Sequence, residues 1–171
     1  FLDFGAIVPH VGLLYVLGLL FGPYGAFGAV MGNIIINYLE GYPIETIIPS
    51  AIFSFGVSYL AYKLWYTKYK NFKITKPKLD SIYHLALFLS SIIICGLIYA
   101  TAHGNLAGIF FTTDLDEYTF VFYFLNFINT AFIFGVISIW LSDKISFIET
   151  PKTSKRSSNK RAYQILFYLL I

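Results

Sequence analysis

Charge is what this sequence has little of. Asp, Glu, Lys and Arg make up 12% of its 171 residues, about half the share a soluble domain carries. A soluble fold needs those charges on its wet surface, and a surface facing lipid does not. The hydrophobic share is 57%, so the composition excludes an ordinary soluble globule and points to a chain embedded in a membrane. Cysteine is nearly absent: Cys95 is the one thiol, which excludes a disulfide within the chain and any thiolate metal cluster. The first 21 residues hold no Lys or Arg and therefore lack the basic start of a signal peptide. There is no phosphate-binding glycine loop, no His-Glu-x-x-His helix and no Ser-His-Asp order. The glycine-rich stretch sits inside an apolar helix with no strand before it, so it is not a dinucleotide fingerprint. No catalysis and no cofactor are expected.

What is present is a succession of apolar runs: Ala6–Phe21, Tyr24–Leu39, Ile47–Tyr66, Ser81–Ala102 and Tyr118–Leu141, with a further one starting near Ala162. A bilayer core takes about 20 apolar residues per helix. The fold expected is all-α, a polytopic transmembrane bundle of five complete helices plus the start of another. The first two runs are short, and Gly22-Pro23 between them is a turn signal that disfavours continuous helix. The expected organisation is a membrane-embedded bundle over residues 1–143, a basic cytoplasmic linker over 144–161 and the start of a further transmembrane helix over 162–171. The chain reads as an excerpt of a longer protein.

The basic residues set the orientation. Six of the 12 Lys and Arg are Lys63, Lys68, Lys70, Lys73, Lys76 and Lys78; the other six are Lys144, Lys152, Lys155, Arg156, Lys160 and Arg161. The two intervening connections are acidic, with Glu40 and Glu45 in one and Asp114, Asp116 and Glu117 in the other. Lys and Arg mark cytoplasmic loops, so the basic connections are expected inside and the acidic ones outside. By that count Phe1 lies outside, and at least one helix precedes it if the full protein starts inside. Lysines among Trp65, Tyr66, Tyr69 and Phe72 are those of an interfacial belt and not a nucleic-acid site. The segment Ser154–Arg161 suits anionic headgroups.

Small residues mark close helix packing. Gly25, Gly28 and Gly32 share a face, and Gly28-x-x-x-Gly32 has the spacing that lets backbones approach in lipid. Ala131 and Gly135 are the corresponding pair on the last complete helix. Polar residues at membrane depth mark either interhelical hydrogen bonds or a ligand site. Asn33, Asn37 and Glu40 form a stripe rising to the outer surface, and Asn126, Asn129 and Thr130 a second patch. With His10, His103 and Asn105 they fall in the outer half. The candidate ligand site is therefore His10, Asn33, Asn37, Glu40, His103, Asn105, Asn126 and Asn129, lined by Phe and Tyr, and suited to a small polar or heteroaromatic ligand arriving from outside. Two histidines fall short of the three or four convergent ligands of a metal site.

The segment Leu19-Leu20-Phe21-Gly22-Pro23-Tyr24-Gly25-Ala26-Phe27-Gly28 resembles the Leu-Phe-Gly-Pro-x-x-Gly-Ala-x-x-Gly turn of the substrate-binding S-components of energy-coupling-factor transporters. It is also similar to glycine-rich hairpins of membrane sensor domains, the MASE type and the five-helix type of autolysin-regulating histidine kinases. The resemblance covers about residues 1–143. It implies six helices with both termini inside and a ligand held near the outer surface. The Ala-x-x-x-Ala helix by which S-components dock their ATPase module has no counterpart in this sequence. The apolar run from Ala162 exceeds the six helices of an S-component. A membrane-embedded, small-molecule-sensing input domain of a larger signalling protein is therefore the first expectation, with a cytoplasmic output domain as partner. An S-component-like uptake protein working with a transporter module is the second, and a plain membrane anchor the third.

Overall fold

The structure, a computed structural model, describes residues 8–66, 77–111 and 117–144. These form four α-helices: α1 (Pro9–Leu39), α2 (Ile44–Tyr66), α3 (Ile82–Phe111) and α4 (Glu117–Lys144). Among the described residues there is no strand. Each helix contains a stretch long and apolar enough to cross a membrane, so the all-α, multi-pass character is present. Most of the basic linker, the run from Ala162, the loop lysines Lys68 to Lys76 and the acids Asp114 and Asp116 lie outside the described residues.

Four elements stand where five were expected, because the first two apolar runs form the single element α1. Its 31 residues would make a straight rod of about 46 Å, against a hydrocarbon core of about 30 Å. The rod is broken at Gly22, whose φ of 61° and ψ of −137° are not helical. Only glycine takes such a backbone at little cost, and Pro23 starts the second arm at a position that needs no N–H donor. The second arm turns back along the first: Gly25 packs against the carbonyl of Leu17. Glu40 lies within electrostatic reach of His10, although some 45 Å would separate them on a straight helix.

At the far end of α1 the chain turns through Gly41, at φ 80°. Tyr42 N–H donates to the Asn37 carbonyl at 3.0 Å and Gly41 N–H to that of Tyr38 at 3.1 Å. That pattern satisfies the last carbonyls of a helix and needs a left-handed residue. α2 follows at once.

The helices close into a ring, α1 on α2, α2 on α3, α3 on α4 and α4 on α1. Tyr15 is fully buried at its centre. Its ring meets Phe88 of α3 and Phe127 of α4 edge-on, with centroids 6.0 and 6.3 Å away, an arrangement aromatic pairs favour. Its hydroxyl lies 2.6 Å from Ser91 Oγ. Ser91 donates to the Phe88 carbonyl, so Tyr15 is the donor between them. Ser58 Oγ of α2 donates to the Leu14 carbonyl at 2.7 Å, joining α2 to α1 where no water competes.

The close approaches are made by glycines other than the expected pair. A β carbon on Gly12 would run into the backbone of Thr130 and Ala131, and one on Gly18 into the carbonyl of Ser58. Gly135 faces the Phe88 ring, 2.6 Å from where its β carbon would lie, and Ala131 is buried. Gly28 and Gly32, expected at a helix contact, have nothing within 4 Å of a β carbon. The buried line of that arm is Gly25, Ala26, Ala29 and Asn33. It lies about 100° around the helix from Gly28 and Gly32, whose neighbours Phe27, Met31 and Ile35 are exposed.

Candidate functional site

The ring of helices has two ends. One holds Lys63, Lys78, Asp80, His84 and Lys144, next to the Gly22 bend. There the His84 ring meets Trp65, with centroids 6.1 Å apart, and its Nδ1 lies 2.5 Å from Asp80 Oδ1. This contact holds the Asp80 carboxyl below the usual carboxylate range. Asp80 is exposed, so the pair is a weak, water-facing tie.

The other end gathers several of the expected residues. It is built from both termini of α1, the start of α2, the end of α3 and the start of α4. His103 lies against Tyr99, with ring centroids 4.1 Å apart and planes 30° from parallel. Tyr123 of α4 flanks it with centroids at 5.9 Å. Tyr99 is buried and continues the stack downward to Phe127, centroid to centroid 5.2 Å. The spacing from Tyr99 to His103 is one helical turn, which puts both rings on the same face of α3. His10 stands within electrostatic reach of His103 from α1, and Glu40 within reach of His10. Tyr42, in the turn before α2, lies within reach of Tyr99 and Tyr123. The cluster therefore brings two imidazoles, a carboxylate and three phenols to one end of the bundle.

One atom in it is unanswered. His103 Nε2 is buried and has no hydrogen-bond partner among the described residues. A buried polar atom left in this state costs about 1–3 kcal/mol, and such atoms are few in a folded chain.

The remaining expected residues divide otherwise. Asn33 and Asn37 join Ser50 of α2 in a closed triangle. Asn37 Nδ2 donates to Asn33 Oδ1 at 3.1 Å and to Ser50 Oγ at 3.3 Å, and Ser50 Oγ donates to Asn33 Oδ1 at 3.2 Å. This network ties the second arm of α1 to α2. Asn126 Oδ1 accepts the Val8 N–H at 3.1 Å, so α4 caps the start of α1, where no local side chain does so. Asn105 and Asn129 are exposed. Tyr42, Tyr99 and Tyr123 were not among the expected site residues. In a chain that is 20% aromatic a tyrosine reads as core or belt, and the one signal available was the Tyr99–His103 spacing.

Among the described residues no group of three or more His, Cys, Asp or Glu is placed to hold a metal ion. Comparison with protein-family models, with curated proteins and with solved structures finds no match to this chain.

Proposed function

We propose that this bundle is the small-molecule-sensing input domain of a larger membrane signalling protein, with its ligand bound at the His10–His103 end. The observation that carries the reading is the unpartnered Nε2 of His103. A ligand atom hydrogen-bonded there removes the penalty, and the Tyr99 and Tyr123 rings supply flat apolar walls. A planar heteroaromatic molecule with one polar edge has the matching chemistry. On this reading the two arms of α1 are separate membrane crossings, five in all. The basic connections face the cytoplasm by their charge, which turns the His103 end outward. The bundle performs no chemistry and passes its state to a cytoplasmic output domain.

The test is thermal unfolding of the protein in lipid nanodiscs against purine, pyridine and imidazole compounds. At least one class raises the midpoint of the parent, and His103→Phe, which keeps a flat ring in place, abolishes the rise. A parent that responds to none of them, or a His103→Phe variant that responds as the parent does, defeats the reading.

A second reading, an S-component-like uptake protein, is favoured by the break at Gly22, which lies within the Leu-Phe-Gly-Pro segment. It requires a transporter module to co-purify with the chain from native membranes.

A further inference from the structure

Asn129 is a polar side chain that the bundle turns outward. It is exposed on α4, and none of the described side chains answers its amide. Around it lie Leu125, Phe132, Ile133 and Ile137, each between 42% and 52% exposed, a lipid-facing strip of helix. The depth is what matters. The apolar span of α4 runs from Thr119 to Ser142, which places Asn129 about 15 Å from one end and about 20 Å from the other. It therefore lies within a few ångströms of the bilayer midplane. On the exposed face of α3, by contrast, Ser90 donates to the Leu87 carbonyl and Thr101 to the Leu97 carbonyl, each within its own helix. An unanswered amide at the midplane meets no water, and lipid offers it neither donor nor acceptor.

We infer that α4 pairs with α4 of a second copy of this chain, joined through Asn129. Copies inserted in one membrane share a single orientation, so identical residues lie at identical depth. A two-fold axis along the membrane normal then sets Asn129 opposite itself. An asparagine amide carries both a donor and an acceptor, so two of them satisfy each other. A Ser or Thr in this place would answer its own helix instead. The inner side of α4 is occupied by Phe127, Thr130, Ala131 and Ile139 in the core, and none of the described residues covers the Asn129 face. Interhelical asparagine bonds drive association in lipid where apolar contact gives no net gain over acyl chains.

The test uses the full chain in proteoliposomes over a range of lipid dilution, read by energy transfer between donor- and acceptor-labelled copies. Asn129→Leu removes a polar group from a lipid face, so the chain folds. It weakens self-association about tenfold, as expected for losing two bonds of modest strength, while Asn129→Gln retains it. In a Cys95→Ala background, Asn129→Cys forms an intermolecular disulfide under mild oxidation, and Ile98→Cys, on the exposed face of α3, does not. Unchanged energy transfer for Asn129→Leu, or cross-linking at position 129 no faster than at position 98, overturns the inference.

Discussion

Gly18 of α1 and Ser58 of α2 touch backbone to backbone: a β carbon on the glycine would occupy the place of the serine carbonyl. Ser58 in turn donates its hydroxyl to Leu14 one turn earlier. The first arm of α1 and α2 are thus held at a separation set by hydrogen. Gly18→Ala must push the helices apart, at about 1–3 kcal/mol. Gly28→Leu, on the open face, changes stability by less than about 0.5 kcal/mol. Unfolding of both variants in mild detergent gives the comparison; equal losses would mean that the Gly28 face is also packed.

The spacing of Gly25, Gly28 and Gly32 makes them share a face but does not name the neighbour. That is why the packing pair lay elsewhere. Gly12 stands alone in apolar sequence, and Gly18, four residues before the Gly22 of the turn, carries no signal that names Ser58 as its neighbour. The membrane-spanning character of the helices was legible, because about 20 apolar residues in a row leave few alternatives, but their number was not, since the first two runs form the single element α1. The break at Gly22 was legible too, since Gly followed by Pro removes both the side-chain restraint and a donor. The site was legible only in part. His10, Glu40 and His103 come together because each lies at a helix end. Asn33 and Asn37 share the polarity of a ligand site, but Ser50 on α2, 17 residues from Asn33, absorbs their hydrogen bonds.

Tyr15 and Ser91 give an asymmetric pair of variants. Tyr15→Phe removes the donor but leaves Ser91 bonded to the Phe88 carbonyl, and costs about 1 kcal/mol. Ser91→Ala strands a buried phenol hydroxyl and costs roughly 1–3 kcal/mol. Equilibrium unfolding of the two should rank serine loss as the worse; the reverse order would place another acceptor beside Tyr15.

The Asn33–Asn37–Ser50 triangle behaves as a structural tie. Asn37→Leu lowers the unfolding midpoint while leaving any ligand-induced rise intact. If the rise disappears and the midpoint stays, the ligand site extends to this network.

Orientation is read by thiol labelling of intact cells in a Cys95→Ala background. Glu45→Cys, in the first turn of α2, reacts with an impermeant maleimide from outside. Lys78→Cys, before α3, reacts only after the membrane is opened. The opposite pattern reverses the assignment of the two ends.

Acid acts at the Asp80–His84 contact. The Asp80 carboxyl is held below its ordinary range by His84, so the contact's contribution is present above the unfolded carboxylate value. It is lost as pH falls through the lowered one. Asp80→Asn removes this acid-sensitive limb, and the change is small because the pair faces water. An unchanged acid limb in Asp80→Asn assigns it to another carboxyl.

The Val8–Asn126 bond spans 118 positions of the chain, and it closes the start of α1 with a side chain from α4. At about 5–20 residues per second, a ribosome needs roughly 6–24 s to supply that cap. Until then the leading turn of α1 holds an unpaired N–H at the rim of the bilayer. During synthesis the start of α1 is thus completed only once α4 has emerged, and truncation before Asn126 leaves it open.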